Sequence, residues 1–219
     1  MKITQLLFIL FIFLFCSCKN KECDCIKELT SEKLPIEYKK NVEKAIYDYQ
    51  GRFYAENDTA FLDSALFILT QVIESNSMLF PAYYYKSFIY YTKGDYYLAV
   101  ETVDSAIKKA YSNPDLLFLK AKALDHLNRS TEADNILKKT ETLYSQWINC
   151  YPDSINLIAT TIEFIAYYKG KEAALKEIEK YIRKYPNNDL FVGYKELIED
   201  EPEGYDLFRY KYNKAGQFK

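Results

Sequence analysis

The stretch FPAYYYKSFIYYTKGDYYLAVETVDSAIKKAYSN, residues 80–113, decides the fold of this chain. It holds two helix-length runs separated by a short break at Gly94, a residue that permits the backbone conformation in which helices end. Spacings of three and four residues mark one helical face in each run: Tyr83, Ser87, Tyr90 and Tyr91 in the first, and Ala99, Val103, Ala106 and Ile107 in the second. The small residues Ser87, Ala99 and Ala106 would let two antiparallel helices approach closely. The stretch therefore predicts a helical hairpin, which cannot bury its apolar face without neighbours.

The composition favours an all-α globular protein. Hydrophobic residues make up 49% of the 219 residues and the net charge is −2, so nothing indicates nucleic-acid binding. The chain has 22 Tyr and 14 Phe but only 6 Gly and 6 Pro. Few helix breakers and no sustained alternating runs argue for helices rather than strands.

A fixed period supplies the neighbours that the hairpin needs. Ala65, Ala99 and Ala133 are 34 residues apart each time, and each is followed four positions later by an apolar residue. Pro152 and Pro186 are also 34 apart, both within Tyr-Pro pairs. A period of this length with paired helices is typical of a stacked helical array.

The chain resembles a tetratricopeptide repeat (TPR) protein over roughly residues 36–200. In the 80–113 unit the family positions are occupied by Tyr83, Ser87, Tyr90, Gly94, Ala99 and Ala106. The next unit matches at Leu117, Ala121, Leu124, Ala133 and Leu137, with Asn128 in place of the turn glycine. Its second helix is expected to overrun by seven residues, to about Trp147. The third unit runs from about Ile155 to Asn188, and the resemblance implies a short right-handed α-solenoid.

The resemblance also implies a binding groove along the first helix of each pair, where the family binds peptides. The implied groove residues are Tyr84, Phe88 and Tyr91, then Phe118, Lys122, Asp125 and His126, then Asn156, Ala159, Glu163 and Tyr167. Tyr84 and Phe88 stand where chaperone-binding members carry a clamp for a C-terminal carboxylate, so that activity is not implied. The alternative is that the neighbouring repeat or the tail covers these aromatic rings.

The N-terminus, MKITQLLFILFIFLFCSC, resembles a bacterial lipoprotein signal peptide. Lys2 precedes an apolar run of about ten residues, which is short for a bilayer span of ~20. Cys18 is the expected lipid-bearing residue, with palmitate or similar acyl chains, and Cys16 is the weaker alternative. An ordinary cleaved signal or an uncleaved anchor stays open. The expected organisation is a signal peptide at 1–17, a tether at 18–34, a repeat domain at 35–200 and a tail or cap at 201–219.

Neither a cofactor nor a metal is expected. Cys23-Asp24-Cys25 is a CxC pair without a second pair, and His126 is the only histidine. A disulfide between Cys150 and one of that pair stays open.

Catalytic constellations are also missing: the sequence has no phosphate-binding glycine loop, no GxSxG and no HExxH. His126 is interpreted as a residue at a helix C-terminus, favourably placed against the helix dipole. We therefore expect no enzymatic activity.

The sequence predicts a lipoprotein of the bacterial envelope, favouring the outer membrane, that acts as a protein-binding scaffold. A role in outer-membrane assembly or secretion is the more specific version. The partners expected are a protein or peptide and, through the lipid, the membrane. The competing prediction is a surface lipoprotein that binds glycans or small ligands through exposed tyrosines.

Overall fold

The computed structural model describes residues 36–46, 51–56, 58–75, 80–108 and 113–200. The expected signal peptide, the lipidation site at Cys18, the tether and the C-terminal tail lie outside these residues.

The described residues form an all-helical protein without strands. The helices are α1 (Ile36–Glu43), α2 (Gly51–Glu56), α3 (Ala60–Ser75), α4 (Phe80–Thr92), α5 (Tyr96–Ile107), α6 (Pro114–His126), α7 (Ser130–Cys150), α8 (Ile155–Lys169), α9 (Lys171–Lys184) and α10 (Asp189–Asp200). Within the stretch 36–56, expected to be one long helix, the described residues form α1, a wider π-type turn at 44–46 and α2.

Successive helices pack against one another as a stacked series of pairs. The pairs are α4 with α5, α6 with α7, and α8 with α9, and α3 and α10 pack on the two ends of this series. The buried side chains of the described residues separate into a cluster at each end, a central cluster around α5 to α8, and a smaller cluster between α4, α5 and the start of α6. The helical-hairpin array predicted from the sequence is confirmed.

The hairpin at residues 80–108 is held by small residues at the contact between its helices. Ser87, Ala99 and Ala106 are fully buried. The Ser87 hydroxyl donates a 3.0 Å hydrogen bond to the Ala99 carbonyl oxygen. A backbone-directed bond of this kind requires the two helices to be close, and larger side chains at these positions would separate them.

Two turns of the array share one conformation, 34 residues apart. Gly94 has φ of 80°, and Asn128 has φ of 59°. After each of these residues the next backbone N–H donates to a carbonyl five positions earlier, from Asp95 to Tyr90 and from Arg129 to Leu124. This is the Schellman arrangement, in which a left-handed residue lets the chain satisfy the last carbonyls of a helix. Asn128 therefore adopts the left-handed conformation that the turn glycine adopts in the preceding unit.

Helix α7 is unusually long, with 21 residues. The overrun predicted from the sequence is confirmed, and it continues to Cys150. Its last two turns carry Tyr144 and Trp147, which are 1% and 6% exposed. The Tyr144 hydroxyl donates a 2.6 Å hydrogen bond to Asp115 on α6, and its ring lies 5.1 Å from that of Phe164 on α8. The overrun thus fills the space between α6 and α8.

Candidate functional site

The first helices of three pairs bring most of the predicted groove residues around one small cavity. Tyr84, Phe88 and Tyr91 come from α4, while Phe118 and Lys122 come from α6. The remaining lining residues are Asp115, Leu119, Tyr144, Thr160 and Glu163. The cavity measures about 50 Å³, little more than the ~30 Å³ that one water occupies in the liquid. We call the partly exposed surface around it the aromatic groove.

One wall of the aromatic groove is a ladder of rings along α4. Tyr84 stacks between Phe80 and Phe88, with ring centroids 6.4 and 6.3 Å apart. Burial raises the pKa of Tyr84, and the nearby carboxylates of Asp115 and Glu163 raise it further. Tyr84 is therefore a neutral hydrogen-bonding group throughout the physiological pH range. The spacing of four residues follows from the helix, which sets i and i+4 side chains one above the other.

Lys122 occupies the floor of the aromatic groove among aromatic rings. Its Nζ lies 5.4 Å from the ring centre of Tyr91 and 5.6 Å from those of Phe118 and Tyr167. The Lys122 side chain is only 12% exposed, and Nζ is 3.9 Å from the Glu163 carboxylate. Burial lowers the pKa of Lys122, and Glu163 counteracts this shift. The rings and the carboxylate together offset the cost of placing an ammonium group there.

Of the predicted groove residues with aromatic or polar side chains, three lie mostly in the core. Phe118, Asp125 and Tyr167 are 6%, 8% and 4% exposed. The Tyr167 hydroxyl donates a 2.8 Å hydrogen bond to Oδ2 of Asp125. The Phe118 ring packs edge-on against Tyr167, with centroids 5.4 Å apart. Asp125 and Tyr167 thus join α6 to α8, and only Phe118 also lines the cavity.

His126 is the last residue of α6, as predicted, but its surroundings differ from the helix-dipole interpretation. Its Nε2 lies 2.9 Å from the Tyr91 hydroxyl, and its ring stacks on Tyr96 with centroids 4.3 Å apart. Burial lowers the pKa of His126, Lys122 lowers it further, and Asp125 acts against them. The imidazole is therefore neutral near pH 7, so it packs as an aromatic ring rather than compensating the helix dipole.

Sequence reasoning missed Asp115, Tyr144 and Thr160, which complete the groove. The Asp115 carboxylate accepts a 2.6 Å hydrogen bond from the Tyr144 hydroxyl, while the Thr160 hydroxyl donates to the Leu157 carbonyl oxygen. Burial raises the pKa of Asp115, and the charge of Glu163 acts in the same direction. Asp115 follows Pro114 in the first turn of α6 and is the usual acid found there. The α7 overrun was the one sequence signal that could have indicated Asp115, because the overrun carries Tyr144, which donates a hydrogen bond to Asp115.

A second and larger cavity adjoins the aromatic groove and shares Asp115 and Thr160 with it. It has a volume of about 250 Å³ and lies where α7 ends and α8 begins. Its other lining residues are Trp147, Tyr151, Ser154, Asn156 and Leu157. We call it the Asp115 cavity. Of the other predicted groove positions, Asn156 lines this cavity and Ala159 is buried.

The described residues show neither a metal-ligand cluster nor a helix suited to span a membrane. No group of three His, Cys, Asp or Glu side chains there is arranged to hold a metal ion. Among those residues, no helix is both long and apolar enough to cross a membrane.

Comparisons with known proteins add one structural likeness. No family model matches the sequence, and no curated protein matches it either. Among solved structures, the chain matches YrrB, "a TPR protein with an unusual peptide-binding site". The identity is 20%, the match covers 71% of this chain and 98% of that chain, and the TM-score is 0.32. The TPR-like fold assigned here rests on this chain's own helix pairs and on the 34-residue spacing of its turns.

Proposed function

We propose that this chain is a lipid-anchored scaffold of the bacterial envelope, which binds a segment of a partner protein along the aromatic groove. The observation that carries the proposal is the placement of Tyr84, Phe88 and Tyr91. These three partly exposed rings lie along one helix face and face Thr160 and Glu163 across a shallow cavity. Rigid aromatic rings provide a large contact area at a low entropic cost, and they dominate the energy of many protein interfaces.

The shape of the aromatic groove favours a peptide over a small molecule. Its cavity of about 50 Å³ is far below the ~300–1,000 Å³ that small-molecule pockets occupy. An extended or helical segment instead needs a surface with a few anchor points. Glycan binding through the same tyrosines is the competing function, and the experiment below separates the two.

The anchor and the compartment are supported by the sequence and by one cysteine. The signal-like N-terminus ending at Cys18 motivates the lipid anchor, because several acyl chains would hold a protein on a membrane stably. Cys150 is disulfide-bonded, and its partner lies outside the described residues. Disulfides persist in oxidising compartments such as the bacterial envelope. An outer-membrane location and a role in assembly or secretion are the finer parts of this proposal.

The test is capture of a partner from detergent-solubilised membranes of the source cells. The wild-type protein should recover a defined partner that a Tyr84→Ala, Phe88→Ala double variant loses. The matched control is Phe67→Ala with Tyr97→Ala, because these two rings are 64% and 72% exposed and lie outside the groove. Circular dichroism and thermal melting establish that all three proteins are folded.

Two results would contradict the scaffold. The first is equal recovery by both double variants. The second is the lack of any partner together with retention of the protein on a polysaccharide column, which would favour glycan binding. For the anchor, Cys18→Ala should release the protein from the membrane fraction, and continued membrane residence would argue against lipidation there.

A further inference from the structure

The Asp115 carboxylate accepts a hydrogen bond but has no cationic partner in the described part of the chain. The Tyr144 hydroxyl donates to it over 2.6 Å, whereas the nearby Thr160 hydroxyl donates to the Leu157 carbonyl oxygen. No lysine, arginine or histidine among the described residues forms an ion pair with it. Burying a charged carboxylate, even partly, without a counter-ion costs free energy. A cation entering the Asp115 cavity would remove that cost, so the cavity is complementary to positive charge.

The helix ends around the Asp115 cavity leave the net charge of the cavity negative. The C-terminus of α7 and the N-terminus of α8 meet at one side of it. Helix ends carry about half a unit charge of opposite sign, so these two largely offset each other. Glu163 and Lys122 lie 3.9 Å apart and also offset each other. Asp115 is the one charged side chain among the residues that line the cavity, and the positive N-terminus of α6, in whose first turn it lies, partly offsets its charge.

Apolar and aromatic walls suit the rest of a long basic side chain. Trp147, Tyr151 and Leu157 line the Asp115 cavity, and Trp147 is only 6% exposed. Lysine and arginine place a methylene stem against such surfaces while their charged head reaches a polar group. Guanidinium and ammonium groups are also attracted to the faces of Trp and Tyr rings.

The volume fits one side chain. About 250 Å³ lies below the ~300–1,000 Å³ of pockets that hold whole small molecules. The Asp115 cavity also shares Asp115 and Thr160 with the aromatic groove, so a chain lying in the groove passes its mouth.

We propose that the Asp115 cavity receives an arginine or lysine side chain of the peptide that the aromatic groove binds. This inference rests on the proposed function for the peptide, but the affinity of the cavity for a basic group can be measured by itself.

The experiment uses Trp147 as its reporter, because it is the single tryptophan of the chain and lines the cavity. The full-length protein is titrated with N-acetyl-arginine amide, with N-acetyl-lysine amide and with the neutral isostere N-acetyl-citrulline amide. We expect a saturable change in Trp fluorescence with at least one basic probe, and binding of citrulline weaker by about tenfold or more, as loss of a charged hydrogen bond implies.

Two variants test the role of Asp115. Asp115→Asn keeps the shape of the side chain and should weaken binding of the basic probe by about tenfold or more. Asn156→Lys places a competing ammonium group at the exposed mouth of the cavity without altering Asp115. This variant should also weaken binding of the basic probe by about tenfold or more. This second variant tests the proposal even if Asp115→Asn folds poorly. Glu196→Gln is the charge-matched control on the exposed face of α10, and it should bind the probe like the wild type.

Binding of citrulline as tight as that of the better basic probe, no response to either basic probe, or unchanged binding in Asn156→Lys would overturn the proposal. Probe binding and partner capture together distinguish failure of this inference from failure of the proposed scaffold function. If the basic probe binds but membranes yield no partner, the cavity is a cation site and the scaffold function is wrong. If a groove-dependent partner is captured but no basic probe binds, the scaffold stands and the present inference is wrong.

Discussion

The Tyr167 hydroxyl donates a 2.8 Å hydrogen bond to Oδ2 of Asp125, joining the first helices of two successive repeats through buried side chains. A residue that binds a peptide must be accessible to it, but the Tyr167 hydroxyl and the Asp125 carboxylate are buried and hydrogen-bonded to each other. The resemblance to the TPR family had placed both in the groove. In this chain they hold the groove's floor in position.

Replacing Tyr167 with Phe should destabilise the protein by about 1–3 kcal/mol, because the buried Asp125 carboxylate loses a donor. Urea unfolding followed by circular dichroism measures the change. Tyr168→Phe is the control, since the structure gives no hydrogen bond to its hydroxyl among the described residues, and it should change stability by less than about 0.5 kcal/mol. Equal effects of the two substitutions would show that the bond contributes nothing.

Ala99→Leu should destabilise the hairpin by about 1–3 kcal/mol, the usual cost of forcing extra methylene groups into a packed contact. Ala99 is fully buried, and its carbonyl accepts the Ser87 hydrogen bond. Tyr97→Leu is the control in the same helix, because Tyr97 is 72% exposed. Unchanged thermal stability in Ala99→Leu would mean that α4 and α5 are further apart than described.

Gly94→Ala and Asn128→Ala should each cost about 1–2 kcal/mol, because both positions require a left-handed backbone. Apart from Gly94 and its two chain neighbours, no residue has an atom within 4 Å of a Cβ built there, so the cost is conformational and not a clash. Asn128→Gly should be close to neutral, since Gly adopts this conformation freely. Chemical denaturation of the three variants measures these differences. A large loss of stability in Asn128→Gly would contradict the shared turn geometry.

His126 should titrate below its ordinary pKa of about 6.5 in the folded protein. A lowered pKa means that the neutral form is favoured by folding. This contribution to stability is therefore complete above pH 6.5 and is lost as the pH falls through the folded pKa. As the only imidazole in the chain, His126 can be followed by NMR without assignment problems.

The groups that surround His126 allow a sharper form of this titration. Tyr91, Tyr96, Lys122 and Asp125 face the ring, and Lys122 lowers its pKa. Lys122→Met should therefore raise the pKa of His126, whereas Lys138→Met on the exposed surface of α7 should leave it unchanged. A pKa at or above 6.5 in the wild type would contradict the described burial.

The array itself could be predicted from the sequence because its determinants are local. Ser87 and Ala99 mark a close helix contact, and Gly94 and Asn128 mark left-handed turns at a fixed spacing. Each of these residues is constrained by neighbours within one hairpin. The wider turn at 44–46 could not be predicted, since no Pro or Gly marks it.

The candidate site was predictable only in part, because it depends on contacts between repeats. Tyr84, Phe88 and Tyr91 were expected in a groove, and they do lie together. Asp115 was missed because its role depends on Tyr144, a residue 29 positions later in the overrun of α7. Periodicity describes what repeats share, so it gives no information on an element that occurs in one repeat alone.

The overrun of α7 also limits how this protein can have changed its length. Tandem arrays grow and shrink by duplicating or deleting whole units, which requires that the surfaces between units be interchangeable. Here Tyr144 and Trp147 fill the space between α6 and α8, and a unit of ordinary length would leave that space empty. A further unit inserted between α7 and α8 would separate the Tyr144 ring from that of Phe164, whose centroids are 5.1 Å apart. The order of the last two units is therefore fixed by their fit to each other.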